Sequence, residues 1–338
     1  MGVKLSSIVP KTFVDFKDLK GKTIAVDFSN TAYQFLASIR GPDGTPLMDN
    51  KGHVTSVYMG IMTRVTNLMA QGIKLCFVFD GVPPDLKFKE QHARKERKAL
   101  AQNRYQEAQE INDIQAMAKF AKQNLFLTKD IIKDSKEILS ALGIPVIQAP
   151  SESDAQIAYL CREGIVDYGA SNDHDLLLFG CPKLLLNITL SQKRKISGGK
   201  IISIKPELLD LKEILKTLNV TQDQLIILGI CIGTDYNPGG IKGIGPKKAL
   251  KLLQQDQEYE KMFKELNVEF DYKKIREIYK TMPVEQVKKL TWKPLDEKRL
   301  KKVLIDEHDF STEKVESILK KLKEEEKENL QKGLGEFF

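Results

Sequence analysis

Residues Thr23 to Phe28 read TIAVDF, a short apolar run with β-branched residues that leads into a helix-like segment. Residues Ile73 to Phe79 read IKLCFVF, a continuous apolar run that ends at Asp80-Gly81. Runs of this kind are typical of strands that are buried on both faces, as in a parallel sheet. The two runs therefore predict strands of a parallel sheet.

Shorter apolar runs and helical patterns extend this arrangement along the chain. Further strands are expected at Pro145 to Gln148, Tyr168 to Ser171 and Leu184 to Asn187. Helices are expected around 54–71, 130–142 and 152–163. Alternating strands and helices predict an α/β fold, with a mostly parallel central sheet flanked by helices and right-handed crossovers. From Pro206 onward the pattern predicts helices alone.

The segment between Pro83 and Leu127 differs in composition from the rest. It is highly charged, rich in Ala, Gln, Lys and Glu, and has no glycine or proline after Pro84. We expect it to be helical and to protrude, because it has too few apolar residues to form a core by itself. Nearer the C-terminus, Pro238-Gly239-Gly240 and Gly243-Ile244-Gly245-Pro246 should interrupt the helices.

The composition predicts a soluble intracellular protein. The chain has 338 residues, of which 41% are apolar and 29% charged, and its net charge of +7 weakly favours a polyanionic partner. The longest apolar stretch, Leu225 to Gly233, is too short to span a bilayer, and no leader sequence is visible. The cysteines have neither zinc-ligand nor redox spacing, which predicts free thiols in a reducing compartment.

Carboxylates follow the predicted strands or lie at the ends of predicted helices. In an open parallel sheet, ligands collect at the carboxyl ends of the strands. Several carboxylates that converge there would repel one another unless a cation lies among them. Oxygen ligands without His or Cys select Mg²⁺ or Mn²⁺ rather than Zn²⁺. The candidates are Asp27, Asp80, Glu152, Asp154, Asp173, Asp175 and Asp235.

Each of these residues also has a purely structural interpretation. Asp27 and Asp80 are also compatible with turns at strand ends. Residues 151–154 (SESD) form a capping-box pattern with Ser151 as the N-cap, which alone would explain Asp154. Asp173 or Asp175 could cap a helix near Leu176 to Phe179. The residues alone therefore support a magnesium site whose purpose stays open.

The quoted segments closely resemble the structure-specific 5′ nucleases, in particular the flap endonucleases of archaea. The similarity runs in order through residues 25–35 (AVDFSNTAYQF), 77–87 (FVFDGVPPDLK), 149–160 (APSESDAQIAYL), 170–180 (ASNDHDLLLFG) and 233–250 (GTDYNPGGIKGIGPKKAL). This resemblance implies that the seven acidic residues hold a pair of Mg²⁺ ions, for which Mn²⁺ can substitute. Most relatives have glutamate at the position of Asp154, so an outer-shell or capping role for this residue stays open.

The resemblance also implies which residues contact DNA. Lys87 and Arg94 would act as catalytic cations at the base of a helical arch, seven residues apart on one side of a helix, with Arg97 as a weaker candidate. Tyr33 would stack on a base near the cut, although a half-buried core tyrosine is the alternative. Arg40 and Arg64 match positions near the DNA. The alternative for the basic cluster from Lys87 to Lys98 is a solvated helix face.

Two further segments carry expectations from the same resemblance. Residues 240–249 (GIKGIGPKKA) look like a helix–two-turn–helix element. In such an element, backbone carbonyls of the turn bind a K⁺ ion. Duplex DNA would contact Gly243, Gly245, Lys247 and Lys248. The tail fits the peptide that binds the replication sliding clamp through Gln331, Leu334, Phe337 and Phe338. Folding of the tail back onto its own core is the alternative.

The expected organisation is one α/β nuclease domain over residues 1–330, followed by the clamp-binding tail at 331–338. Within it we expect an N-terminal region (1–98), the helical arch (about 83–127), an internal nuclease region (about 128–260) with the helix–two-turn–helix at about 225–256, and C-terminal helices to 330.

The expected activity is the removal of 5′ flaps from branched DNA, including double flaps, with an associated 5′ exonuclease activity. We expect a monomer that does not contact membranes. Its location would be the nucleoid-associated cytoplasm if archaeal and the nucleus if eukaryotic. The alternatives are a general 5′ exonuclease or gap endonuclease of the same superfamily, and a non-catalytic clamp-bound DNA-binding protein.

Overall fold

A computed structural model describes the backbone of residues 3–41, 44–111, 113, 126–190, 193–195, 201–255 and 258–335. It describes no side chains at 89, 91–95, 105, 109, 193–195, 201–203 and 325–335. The described part therefore leaves out the side chains of three predicted site residues, Arg94, Gln331 and Leu334. It also leaves out Phe337 and Phe338 completely.

A seven-stranded sheet forms the centre of the molecule, in the order β1-β9-β6-β5-β2-β3-β4. The pairs β2–β3, β2–β5, β3–β4 and β5–β6 are parallel, whereas β9 pairs antiparallel with both β6 and β1. A separate antiparallel pair is formed by β7 and β8. The strands are β1 (Thr12–Phe13), β2 (Thr23–Asp27), β3 (Lys74–Phe79), β4 (Val146–Gln148), β5 (Tyr168–Ala170), β6 (Lys183–Leu186), β7 (Lys193–Lys195), β8 (Ile201–Ser203) and β9 (Glu207–Asp210).

Helices connect the strands and build the C-terminal part. A π-helical turn, Ile61–Val65, joins α2 to α3, and a second one, Lys302–Glu307, follows α13. Short 3₁₀ turns lie at Phe16–Leu19 and Asp85–Lys87. The helices are α1 (Phe28–Ser38), α2 (Ser56–Gly60), α3 (Thr66–Ala70), α4 (Phe88–Glu110), α5 (Lys129–Ala141), α6 (Ser153–Arg162), α7 (Asp175–Leu178), α8 (Leu211–Leu218), α9 (Gln222–Ile232), α10 (Pro246–Leu253), α11 (Tyr259–Glu265), α12 (Tyr272–Thr281), α13 (Glu297–Lys301) and α14 (Thr312–Gly335).

Both faces of the sheet are buried, which explains why its central strands are apolar throughout. Along β2, Ile24 and Val26 belong to a core with α1, α2, α5 and α14, whereas Ala25 belongs to a core with α6, α7, α9 and α12. Alternate residues of a strand point to opposite faces, so a strand between two helical layers needs apolar side chains at every position. The predicted α/β layering is confirmed.

Three expectations about local structure were wrong. Residues after Pro206 are not helical alone, because β9 pairs with β6 through Leu209 and Leu208. Four residues are too few to show an alternating pattern, so this strand depends on its neighbour rather than on its own sequence. The sequence analysis also missed β1 and the β7–β8 pair. Lys87 ends a 3₁₀ turn before α4 rather than lying within a helix with Arg94.

The strand order reverses at β2, which places the site. The chain runs from β2 through β3 to β4 on one side and then returns to β5 on the other side of β2. Such a reversal opens a crevice beyond the carboxyl ends of the strands, where ligands bind in open α/β sheets. The residues that follow β2, β3, β4 and β5 therefore converge there. Among the described helices, none is both long and apolar enough to cross a membrane.

Candidate functional site

Asp27 and Asp80 leave adjacent parallel strands at the carboxyl edge of the sheet. Asp27 N-caps α1, with Oδ1 accepting from the Asn30 N–H at 3.1 Å and Oδ2 accepting from the Ser171 hydroxyl at 3.2 Å. Asp80 accepts from the Ser29 hydroxyl at 2.5 Å and from the Ser153 N–H at 2.9 Å. These bonds join the ends of β2, β3 and β5 to the start of α6.

Gly81 allows the chain after β3 to approach the chain after β4. A Cβ atom at this position would lie 2.2 Å from the Ala149 carbonyl oxygen and 2.4 Å from that of Pro150. Real Cβ atoms essentially never come so close to backbone, so the approach requires glycine. It keeps Asp80 beside the segment that carries Glu152.

Glu152 and Asp154 lie at the start of α6, but the predicted capping box does not form. Glu152 is the N-cap residue and makes no side-chain cap bond, and the Ser151 hydroxyl instead donates to the Val82 carbonyl at 2.9 Å. Glu152 Oε2 accepts from the Tyr236 hydroxyl at 2.7 Å. Asp154 Oδ1 is buried and has no hydrogen-bond partner among the described residues. Capping therefore does not account for either carboxylate.

The remaining carboxylates come from the segment after β5 and from the turn after α9. Asp175 Oδ1 accepts from the Val3 N–H at 3.0 Å, and Asp173 Oδ1 accepts from the Asp175 N–H at 3.2 Å. Neither is the N-cap residue of α7, which is His174, although the bond from Asp175 joins Asp173 to the first N–H of this helix. Asp235 is buried next to Tyr236, with 8% of its surface exposed.

The carboxylates raise one another's pKa. Burial and the neighbouring Asp80 raise the pKa of Asp27 from 3.8 to about 7. Burial, together with the charges of Asp27 and Asp173, raises the pKa of Asp154 well above its usual range. Burial and the charge of Asp173 do the same for Asp175. The cluster therefore resists full ionisation without a compensating cation.

Lys87 supplies one such cation. Its Nζ lies 2.6 Å from Glu152 Oε1 and 3.3 Å from Asp235 Oδ2, and only 17% of its side chain is exposed. Burial alone would lower the pKa of Lys87, but the carboxylates of Glu152 and Asp235 outweigh it and raise the pKa. The ammonium thus stays charged at the edge of the cluster.

The cluster fits divalent cations. One ammonium cannot neutralise seven carboxylates, and the buried Asp154 Oδ1 has no donor among the side chains and backbone that the structure describes. The available ligand atoms are carboxylate oxygens, which suit hard divalent ions.

A cleft of about 550 Å³ opens next to the cluster and is lined by Ser29, Tyr33, Asp80, Lys87 and Lys98, among others. Tyr33 is 37% exposed, so part of its ring is accessible from the cleft. Lys98 Nζ lies 3.2 Å from the Tyr33 hydroxyl, 4.9 Å from its ring centroid and 5.1 Å from that of Phe126. The cleft therefore combines carboxylates, ammonium groups and an exposed aromatic face.

The predicted arginines differ in their surroundings. Arg40 donates to the Gly44 carbonyl within the same loop. Arg64 lies 5.4 Å over the Phe35 ring and donates to the Thr189 carbonyl at 3.4 Å. Arg97 pairs with Glu90 at 3.2 Å and is otherwise exposed. None of these contacts brings the three arginines together at the carboxylates.

The predicted helix–two-turn–helix is formed by α9, α10 and the turns between them. A Cβ atom at Gly240 would lie 2.5 Å from the Cys231 carbonyl oxygen, so the first turn packs against the end of α9. Gly245 is the N-cap of α10 and provides no side-chain cap, and a Cβ atom there would meet nothing within 4 Å. Lys248 Nζ donates to the Gly243 carbonyl at 3.1 Å, and Lys247 is exposed. The N–H groups at the start of α10 are thus open to an anion.

Sequence reasoning missed the groups that hold the carboxylates in place. Ser29 and Ser171 lie within the quoted motifs, but a hydroxyl there has no pattern that points to a particular aspartate. Tyr236 directly follows Asp235, and its adjacency was the available signal. Lys98 was noted only as the end of a basic run.

Models of two protein families match this chain: the XPG N-terminal domain over residues 1–103 and the XPG I-region over residues 143–235. Flap endonuclease 1 of Pyrococcus furiosus is 44% identical over 339 residues, covering 100% of this chain and 99% of that protein. The solved structure of flap endonuclease-1 from Methanococcus jannaschii has a TM-score of 0.76 and 38% identity, covering 95% of this chain and 98% of that one. The catalytic core of Rad2 in complex with DNA substrate has a TM-score of 0.67 and 25% identity, over 92% and 96%.

These relatives match the chain from end to end and include the segments that carry the carboxylates. Family, fold and site geometry agree. The chain belongs to the flap endonuclease 1 family of XPG-type nucleases.

Proposed function

We propose that this chain is a structure-specific endonuclease that removes 5′ flaps at DNA duplex junctions, with an associated 5′ exonuclease activity. The observation that carries the proposal is the convergence of seven carboxylates and Lys87 at the carboxyl edge of the sheet. A non-catalytic DNA-binding protein would have no use for so costly a cluster of buried like charges. The relatives from Pyrococcus furiosus, Pyrococcus horikoshii and Thermococcus onnurineus are named flap endonuclease 1, which supports the flap as substrate over a general 5′ exonuclease.

The proposed cofactor is Mg²⁺, with a pair of ions held by Asp27, Asp80, Glu152, Asp154, Asp173, Asp175 and Asp235. When bound, such ions activate water and stabilise the leaving oxygen in phosphodiester hydrolysis. Mn²⁺ has the same preference for oxygen ligands and should substitute. The partnerless Oδ1 of Asp154 supports a metal contact for this residue despite its short side chain.

The chain's own residues would bind and orient the strand to be cut. The Lys87 ammonium lies at the mouth of the cluster, where it can attract the scissile phosphate and stabilise the charge that develops on it. Arg94 is proposed to do the same from α4. The exposed ring of Tyr33 offers a stacking surface that tolerates any base, as an enzyme that recognises structure rather than sequence requires.

Duplex DNA is proposed to bind at the turn before α10. The open space at Gly245 and the uncapped start of the helix allow a phosphate to approach the backbone, and Lys247 adds charge. The Gly243 carbonyl already accepts from an ammonium, which supports K⁺ binding by carbonyls of this turn. The Rad2 core, a relative with the same fold, was solved with its DNA substrate.

The deciding experiment measures cleavage of a labelled double-flap substrate with Mg²⁺. Asp175→Asn should reduce the single-turnover rate by on the order of 100-fold or more, while the affinity for the substrate persists. The matched control is Asp306→Asn, which makes the same chemical change at an exposed position outside the site. A wild-type protein that binds the flap without cutting it contradicts the proposed activity. Equal cleavage by Asp175→Asn contradicts the site.

We also propose that the tail at 331–338 binds the replication sliding clamp. The backbone of α14 is helical through Gln331 and Leu334, which supports a helical turn that presents Leu334 and Phe337 on one face. Phe337→Ala with Phe338→Ala should abolish stimulation by the clamp and leave basal cleavage intact, and Lys332→Ala is the control. Loss of basal cleavage would instead show that the tail supports the fold.

The protein is proposed to act as a monomer. Its similarity to archaeal relatives supports a location in the cytoplasm, on the nucleoid.

A further inference from the structure

A second group of ligating side chains lies away from the carboxylate cluster, where the loop before α2 meets the end of the second π-helical turn. Asp49, His53 and His308 place a carboxylate oxygen and two imidazole nitrogens within 4.8 Å of one another. Asp49 Oδ2 lies 2.9 Å from His53 Nδ1 and 3.0 Å from His308 Nδ1. The proposed nuclease function does not use these residues.

The loop orients Asp49 toward the two rings. Its Oδ1 accepts from the N–H groups of Lys51 at 2.9 Å and His53 at 2.8 Å, which leaves Oδ2 to face the imidazoles. The loop turns at Gly52, whose φ of +82° favours glycine. The side chain of Asp49 is fully buried, and a carboxylate held in this way is already positioned as a ligand.

His308 is held from its other side by a second carboxylate. Its Nε2 lies 3.3 Å from Asp134 Oδ2, which also accepts from the Tyr58 hydroxyl at 2.9 Å. Histidines that bind metals commonly donate their second ring N–H to a carboxylate, which fixes the tautomer and makes the free nitrogen a better ligand. The contact with Asp134 thus keeps Nδ1 of His308 on the side of Asp49 and His53, where it can bind a metal ion.

We propose that Asp49, His53 and His308 bind a divalent transition-metal ion of the Zn²⁺ type. Two imidazoles and one carboxylate select such an ion over Mg²⁺, which prefers oxygen ligands. The side chains of Asp49 and His308 are 0% and 8% exposed, whereas that of His53 is 56% exposed. The site therefore opens to solvent at His53, where the ion enters and where water completes the coordination.

The geometry requires only a small adjustment. Ligand atoms about 2.0–2.2 Å from a four-coordinate Zn²⁺ lie roughly 3.3–3.5 Å from one another. The two oxygen–nitrogen distances need to widen by a few tenths of an ångström. A movement of the exposed His53 ring can widen the first, and a shift of that size between the buried Asp49 and His308 is needed for the second. A metal ion binds an unprotonated Nδ1 of His308, and the contact of Nε2 with Asp134 is compatible with that state.

The bound ion joins segments that are far apart in the chain. Asp49 and His308 are separated by 259 residues, and the neighbouring Asn50 N–H donates to Asp309 at 3.0 Å. An ion that binds only the folded protein stabilises it, by an amount that rises with the logarithm of its affinity. The site would fasten the loop before α2 to the C-terminal part of the chain.

The test measures uptake of Zn²⁺ by the full chain in excess Mg²⁺, which saturates the carboxylate cluster. Isothermal titration should show one high-affinity equivalent in the wild type. His53→Ala, at an exposed position that leaves the fold intact, should weaken this affinity by on the order of 100-fold. Asp134→Asn should weaken it by about 10–100-fold. Lys51→Ala in the same loop is the control and should bind as the wild type does.

A spectroscopic measurement separates this site from the carboxylate cluster. Co²⁺ should produce the intense visible absorption of a four-coordinate centre with nitrogen ligands, and His53→Ala should abolish it. Zn²⁺ should also raise the melting temperature of the wild type and not that of His53→Ala, while basal cleavage with Mg²⁺ is unchanged in the variant. Equal Zn²⁺ uptake by the wild type and His53→Ala overturns the proposal, as does a wild type without uptake. In either case Asp49, His53 and His308 are a hydrogen-bonded cluster that does not bind metal, and the proposed nuclease function is unaffected.

Discussion

Asp27→Asn should stabilise the metal-free protein at neutral and alkaline pH. The substitution removes a charge that burial and Asp80 oppose, and asparagine is as good an N-cap for α1 as aspartate. The Asn side chain can still accept from the Asn30 N–H. The gain should therefore come from electrostatics, with little loss of structure.

The magnitude follows from the raised pKa. The folded state holds the Asp27 proton up to about pH 7, whereas the unfolded chain releases it near 3.8. Stability therefore falls as the pH rises between these values, and the full cost applies above the higher one. At about 1.4 kcal/mol for each pH unit, the cost is about 4 kcal/mol. Asp80 shares the repulsion and the site can relax, so we expect a measured gain of about 2–4 kcal/mol.

The assay is urea denaturation of both proteins in a chelator, at about pH 8 and about pH 4, with Asp306→Asn as the control for the chemical change. The free energies of unfolding should differ at the higher pH and come within about 0.6 kcal/mol of each other at the lower one, where Asp27 stays protonated in the folded state and is about 40% protonated in the unfolded chain. Mg²⁺ should reverse the order by stabilising the wild type more than the variant. A variant no more stable than the wild type at the higher pH, or a gain that persists at the lower pH, would refute the reasoning.

Three further substitutions test the parts of the site separately. Lys87→Met should lower the single-turnover cleavage rate by about 10²–10³-fold with little change in the affinity for the flap. A loss of affinity as large as the loss of rate would mean that Lys87 contributes to substrate binding alone. Tyr33→Ala should cost about 1–3 kcal/mol of substrate binding in a filter or fluorescence assay, whereas Tyr33→Phe should retain it, since the ring face and not the hydroxyl stacks on the base. Lys247→Ala should weaken duplex binding equally for all DNA sequences. It should also reduce the slope of log affinity against log salt concentration by about one. An unchanged slope would mean that Lys247 does not contact the phosphates.

The carboxylate cluster also explains why Lys87 lies where it does. A 3₁₀ turn, rather than the first turn of α4, places its ammonium within reach of both Glu152 and Asp235. The same residue thus offsets part of the repulsion in the resting site and faces the cleft that the substrate would enter.

Local sequence patterns encode the central elements of the fold. The apolar runs that end at Asp27 and Asp80 can be buried only between two helical layers, so the parallel sheet followed from composition and spacing. The carboxyl ends of parallel strands meet at one edge, so the site followed as well. The motifs around Glu152, Asp175 and Asp235 then indicated the family.

Contacts between residues that are distant in the chain can be read only from the folded molecule. The strand β9 forms because β6 offers it an edge, and Ser151 leaves its capping position for the Val82 carbonyl. The orphaned oxygen of Asp154 and the contact of Lys87 with Glu152 and Asp235 arise from elements brought together by the strand reversal at β2. Such contacts carry no local periodicity, because their free energy depends on burial and distance in the folded chain rather than on neighbouring residues.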